Sequence, residues 1–60
     1  MTGAEFRKGR KELGYRSIQA VAEAIGVSYG GVRKWENHTR PVPAYAEKWI
    51  KMRLESMPHG

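Results

Sequence analysis

The chain has 60 residues and no cysteine, which predicts a single domain spanning residues 1–60 and excludes a disulfide framework or a thiolate metal site. A formal net charge of +5 indicates an anionic partner, either nucleic acid or an acidic membrane, unless the basic residues only solvate the surface. No apolar run approaches the roughly 20 residues of a membrane span and no signal-peptide core is present, so we expect a soluble, cytoplasmic protein.

The first predicted helix covers residues 3–13. Thr2 and Glu5 have the spacing of a capping box, and Gly14 is a natural helix stop. Gly9 costs on the order of 1 kcal/mol relative to alanine inside a helix, which indicates that another backbone passes close by. One face of this helix carries Phe6, Arg10 and Leu13, and the basic side chains expected to face water are Arg7, Lys8 and Lys11.

Two short helices joined by a tight turn are predicted next, at residues 18–25 and 29–37. Ser17 and Ser28 are suited to cap them, and Gly26 is suited to end the earlier one in the left-handed conformation. Apolar residues recur at helical spacing in the earlier helix, at Ile18, Val21, Ala22 and Ile25. The later helix has two sides, one with Val32, Trp35 and Glu36 and the other with Tyr29, Gly30, Arg33 and Lys34.

Gly30 and Gly31 are unusual, because two glycines in a first turn weaken a helix by about 1–2 kcal/mol in total. One explanation is functional: bare backbone lets this end of the helix come close to phosphates or base edges. The other explanation is structural, namely that Gly31 avoids a clash with the preceding helix. The sequence leaves both explanations open.

A fourth helix is predicted at residues 44–56, with Pro43 in its first turn and Pro58 ending the ordered chain. Its apolar band is too wide for one small domain to cover, which predicts a dimer interface. The candidates for this interface are Tyr45, Trp49, Met52, Leu54 and Met57. For Trp49, a core position and a stacking platform for single-stranded nucleic acid are the alternatives. The predicted fold is an all-α, compact four-helix domain with a helix-turn-helix.

Residues 21–28 read VAEAIGVS, and Val32, Trp35 and Glu36 follow at the positions of a second helix. The pattern of an apolar residue, alanine, two variable positions, an apolar residue, glycine, an apolar residue and serine resembles the XRE-like helix-turn-helix family of phage Cro and CI repressors. The similarity continues through the basic, proline-containing segment at residues 40–43 and covers nearly the whole chain. It implies a lambda-repressor-like fold, although many members have a fifth helix and only four are predicted here.

The resemblance also implies a role for individual residues. The third helix would lie in the major groove of double-stranded DNA, with base edges read by Tyr29, Gly30, Arg33 and Lys34. Phosphate contacts are implied for Ser17, Gln19, Ser28, Asn37, Thr39 and Arg40. Arg10 and Glu36 occupy the positions of a structural ion pair that ties the first helix to the third, with two separate solvated charges as the alternative.

The expected function is sequence-specific regulation of transcription by a small phage-type repressor, which binds a palindromic operator as a homodimer in a bacterial or phage-infected cell. Activation, and a protein-interaction module such as an antitoxin or phage regulatory partner that docks through the fourth helix, remain alternatives. We expect no enzyme, because Ser28 is explained as a cap and Glu36 as an ion-pair partner. His38 and His59 are isolated and lack the spacing of a zinc site, so no metal or cofactor is expected.

Overall fold

A computed structural model describes residues 1–57, which contain four α-helices and no strand. These are α1 (Gly3–Glu12), α2 (Ile18–Ile25), α3 (Tyr29–Glu36) and α4 (Ala44–Glu55). The predicted all-α, four-helix fold is confirmed, and α1, α3 and α4 each end one residue earlier than predicted. The three residues between α2 and α3 are compatible with the predicted helix-turn-helix. Pro58 and His59 lie outside the described residues, as does the predicted end of the ordered chain.

Side chains just outside the helices determine where α1, α2 and α3 begin. The predicted capping box is confirmed: Thr2 Oγ1 accepts a hydrogen bond from the Glu5 N–H at 3.1 Å, and Glu5 Oε1 accepts one from the Thr2 N–H at 3.0 Å. Ser17 and Ser28 cap α2 and α3 in the predicted way. Pro43 was predicted in the first turn of α4 but is its N-cap residue, with an extended backbone and no side-chain hydrogen bond.

The buried residues form one core between the helices. Helix α2 packs on α3, and α1 packs on both α3 and α4. The core consists of Phe6, Val21, Ala22, Val32, Trp35, Ala46 and Ile50. The Phe6 ring meets the Trp35 ring edge-on with centroids 5.5 Å apart. Burying a side chain as large as that of Phe6 or Ile50 contributes about 1.5–3 kcal/mol, so a few such residues hold this short chain together.

Two glycines of α1 let neighbouring elements approach closely. A Cβ at Gly3 would collide with the carbonyl oxygen of Trp35, so the start of α1 lies directly on the end of α3. A Cβ at Gly9 would lie 3.0 Å from Ile50 Cδ1 and 3.4 Å from Leu54 Cδ1. The prediction that a backbone passes Gly9 is therefore wrong, because the space is filled by side chains of α4.

The contact at Gly3 predicts that Gly3→Ala destabilises the domain by about 1–3 kcal/mol, because α1 must move away from the Trp35 carbonyl. Urea denaturation measures the change. Gly30→Ala is the matched control, since a Cβ at Gly30 meets no atom within 4 Å and alanine favours the helix. Equal stability of the two variants would contradict the close contact at Gly3.

The capping box also predicts a pH dependence. Hydrogen bonding by Thr2, chiefly the bond that its backbone N–H donates to the carboxylate, lowers the pKa of the exposed Glu5 carboxyl. A carboxyl whose pKa is lower in the folded state stabilises the fold above its unfolded pKa of about 4.3, and this stabilisation is lost as the pH falls through the lowered value. At pH 7 the unaltered protein should therefore be more stable than Glu5→Gln, and this difference should shrink as the pH falls to 2. Thermal unfolding over this pH range measures it. A difference that does not change with pH would contradict this.

Candidate functional site

Helix α3 has a buried side and an exposed basic side. Val32 is completely buried and Trp35 is 6% exposed, whereas half of the Tyr29 surface faces solvent. The four residues predicted to contact base edges are all exposed: Tyr29, Gly30, Arg33 and Lys34. Two positive charges and a phenol therefore lie on the solvent side of a helix whose opposite side is fixed in the core.

The first turn of α3 presents unobstructed backbone. Ser28 Oγ accepts a hydrogen bond from the Gly31 N–H at 3.2 Å. A Cβ at Gly30 would meet nothing within 4 Å, and in the described part of the chain a Cβ at Gly31 would meet only the Ser28 hydroxyl, at 3.3 Å. The structural explanation for Gly31 is wrong, because no atom of α2 is near enough to clash. The fold thus does not require Gly30, whereas a Cβ at Gly31 would press on the Ser28 hydroxyl that caps α3.

In three residues predicted to bind phosphate, a side-chain oxygen accepts a hydrogen bond from a backbone N–H group. Ser17 Oγ accepts from the Ala20 N–H at 3.1 Å, Ser28 caps α3 in the same way, and Asn37 Oδ1 accepts from the Thr39 N–H at 3.0 Å. All three are exposed, and each keeps an O–H or NH₂ group that can donate. Such donors are the groups that bind an anion.

The side chain of Gln19 lies next to the acidic side chain of Glu23. Its side-chain amide donates to the Glu23 carboxylate across 3.5 Å, the limit of a hydrogen bond, within one exposed face of α2. A phosphate near Gln19 would also be near this negative charge. The phosphate role of Gln19 stays a prediction, and its surroundings favour it less than those of Ser17.

The chain after α3 turns back on the helix and fixes the last two predicted phosphate residues. The N–H groups of Thr39 and Arg40 both donate to the Lys34 carbonyl oxygen, at 3.0 and 3.1 Å, and the His38 N–H donates to Trp35 at 3.4 Å. This closure is a Schellman motif in which His38 adopts a left-handed backbone with φ of 65°. Sequence reasoning missed it, because glycine is the usual residue there and a left-handed histidine costs on the order of 1 kcal/mol.

The ion pair between Arg10 and Glu36 connects α1 to the end of α3. Arg10 Nε donates to Glu36 Oε2 at 2.7 Å and Arg10 Nη2 donates to Glu36 Oε1 at 3.2 Å, so the ion pair is bidentate. Arg10 Nη1 also donates to the Tyr15 carbonyl oxygen at 2.9 Å. Both charged side chains are less than 10% exposed, so the alternative of two separate solvated charges is wrong.

The residues in and just after α4 that are predicted to form a dimer interface do not share one exposed face. Tyr45 and Met52 are 56% and 57% exposed, but Leu54 and Trp49 pack against the core. The rings of Trp49 and Tyr15 lie 5.9 Å apart. Met57 is half-buried. The fold thus covers more of the apolar band than the sequence suggested, and the interface stays a prediction that now depends on two exposed side chains.

Other kinds of site were sought in residues 1–57. No three side chains of histidine, aspartate or glutamate come together there as ligands for a metal ion. No helix in this range has the length and apolar character needed to cross a bilayer. The side chains that gather at the surface are the basic and hydroxyl-bearing ones around α3.

The chain is thus a small, basic, four-helix protein domain. Comparisons of its sequence with models of known protein families and with curated proteins found no match, and neither did a comparison with solved structures.

The burial of Arg10 predicts that Arg10→Met destabilises the domain by about 3–5 kcal/mol, because the Glu36 carboxylate is left buried without a partner. A loss of this size is comparable to the whole stability of a short domain. Urea denaturation measures it, with Lys11→Met at a neighbouring exposed position as the control.

The double variant Arg10→Met/Glu36→Leu should recover most of this stability, because no charge remains buried. A double variant as unstable as Arg10→Met alone would show that the loss came from packing and from the bond to Tyr15 rather than from an unpaired charge.

Proposed function

We propose that this protein binds double-stranded DNA through the exposed side of α3, selects its sequence there, and regulates transcription as a repressor. One observation carries the proposal: Arg33 and Lys34 are both exposed on the solvent side of α3. The opposite side of the helix, at Val32 and Trp35, is buried in the core. A net charge of +5 supports it, and so does the resemblance to the XRE-like repressors of the Cro and CI type.

The exposed side of α3 has the chemistry that reading a base sequence needs. Arginine and lysine donate to guanine O6 and N7 in the major groove, and one good contact contributes about 1–3 kcal/mol of discrimination. Tyr29 offers a ring that packs on a thymine methyl group and a hydroxyl that bonds a phosphate. In this proposal Arg33 and Lys34 select the sequence, and Tyr29 sets the depth of the helix in the groove.

The two glycines of α3 favour close approach to the DNA. Since a Cβ at Gly30 would meet no described atom within 4 Å, the cost of this glycine in helix stability has no explanation in packing. At Gly31 a Cβ would press on the Ser28 hydroxyl. Bare backbone at a helix N-terminus presents N–H groups and a partial positive charge to a phosphate or a base edge. The functional explanation is thus the one we propose.

Phosphate contacts would supply most of the affinity without selecting sequence. The donors of Ser17 and Ser28 lie at the N-termini of α2 and α3, and those of Asn37, Thr39 and Arg40 lie beyond the C-terminus of α3. An eight-residue helix is about 12 Å long, so Ser28 before α3 and the donors beyond its C-terminus are spaced to hold both ends of α3 against the DNA backbone. Each cation that neutralises a phosphate makes binding more sensitive to salt.

A homodimer that reads a palindrome is part of the proposal. A two-fold axis would place two copies of α3 about 34 Å apart, one turn of DNA, and the exposed Tyr45 and Met52 are the candidates for contact between copies. The same two side chains favour a second candidate function, docking of a protein partner through α4 as an antitoxin would do. The proposed location is the cytoplasm of a bacterial or phage-infected cell.

Selection of bound duplexes from a random pool tests the proposal and reports the symmetry of the site. With the selected duplex, Arg33→Ala and Lys34→Ala should each lose about 5- to 150-fold in preference over random DNA, while salt-sensitive weak binding remains. Arg40→Ala should weaken binding to all sequences alike and lower the slope of log K against log salt by about 1. Binding isotherms at several salt concentrations measure both effects.

Lys48→Ala is the matched control, because it removes an exposed positive charge from α4, a helix that carries none of the proposed DNA contacts. Gly30→Ala, which the fold accommodates, should weaken binding to the selected duplex by adding a methyl group at the contact. Enrichment of no sequence, or full cognate preference in both Arg33→Ala and Lys34→Ala, would overturn the proposal. Capture of a defined protein without DNA enrichment would favour docking through α4.

A further inference from the structure

A second basic surface lies beside the end of α3. It is an open groove of about 330 Å³ between α1 and the turn that follows α3, and it is lined by Ala4, Arg7, Lys8, Lys11, Glu36 and His38. The sequence indicated only that Arg7, Lys8 and Lys11 of α1 face water. The fold places them on one wall of a groove whose other wall is the left-handed His38.

The groove has an unbalanced positive charge. Within residues 1–57, no carboxylate lies within 4.0 Å of the side-chain nitrogens of Arg7, Lys8 or Lys11. Glu36 is the one acidic residue of the lining, and its carboxylate is already bound by two nitrogens of Arg10. Three like charges that repel one another thus face a groove with no free negative group among its described residues.

The end of α3 does not need these cations. Basic side chains near a helix C-terminus stabilise its carbonyl groups, but the Lys34 and Trp35 carbonyl oxygens already accept hydrogen bonds from the turn. The groove also adjoins the proposed DNA surface along the chain, because His38 of its lining is the sequence neighbour of Asn37 and Thr39, two of the proposed phosphate ligands.

We propose that this groove binds phosphate groups of the DNA backbone that flank the sequence read by α3. The inference rests on the proposed function and extends its site: α1 becomes a second phosphate-binding element, and the bound duplex reaches beyond the base pairs that α3 contacts. Arg7, Lys8 and Lys11 supply the charge, and Glu36 adds little repulsion because Arg10 neutralises it.

The test compares two duplexes, the selected site alone and the same site extended by several base pairs on each side. The unaltered protein should bind the extended duplex more tightly. Lys8→Gln/Lys11→Gln, which keeps Arg7, should bind the short duplex normally and lose most of the gain on extension. Its salt slope on the extended duplex should fall by about 2, one contact for each lysine.

Lys48→Gln/Lys51→Gln is the control, because it removes two lysines at the same spacing from exposed positions of α4. It should keep both the gain on extension and the salt slope. If Lys8→Gln/Lys11→Gln behaves like this control, the groove proposal is wrong while the proposed function stands. If the unaltered protein binds neither duplex selectively, both proposals fail. Circular dichroism of each variant excludes loss of fold as the cause.

Discussion

The structure depends on one buried ion pair, between Arg10 of α1 and Glu36 at the end of α3. A charge taken out of water is costly unless its hydrogen bonds are satisfied, and here three guanidinium nitrogens and both carboxylate oxygens have partners. These hydrogen bonds join α1 to the end of α3 in a defined geometry. The pair therefore specifies an arrangement, whereas the apolar side chains around it supply most of the stability.

The same end of α3 is fixed from a second direction. Gly3 lets the backbone of α1 rest on the Trp35 carbonyl, and the Trp35 ring lies between the rings of Phe6 and Tyr45. A helix of eight residues is marginal alone, so α3 owes its rigidity to these contacts. A binding surface needs such support, because side chains select a ligand only when the element beneath them does not move.

Local features of the sequence determined much of this architecture. The caps at Thr2, Ser17 and Ser28 and the stop at Gly26 each depend on residues within a few positions, so a one-dimensional pattern contains them. Contacts between helices were harder to predict. The spacing of apolar residues in α4 indicated a broad apolar band. Only the fold shows that Trp49 packs against Tyr15 and that Leu54 packs next to Gly9. The groove beside α3 was hidden for the same reason, since its two walls are about 30 residues apart in the chain.

Helices α1 and α2 are each followed by a left-handed glycine, Gly14 and Gly26, and α3 by a left-handed histidine. A glycine in place of His38 would relieve backbone strain, yet it would also remove an imidazole from the groove wall. The position is therefore one where thermal robustness and surface chemistry make opposite demands on a single residue. Replacing His38 with glycine would therefore stabilise the domain and, at the same time, change the surface of the groove.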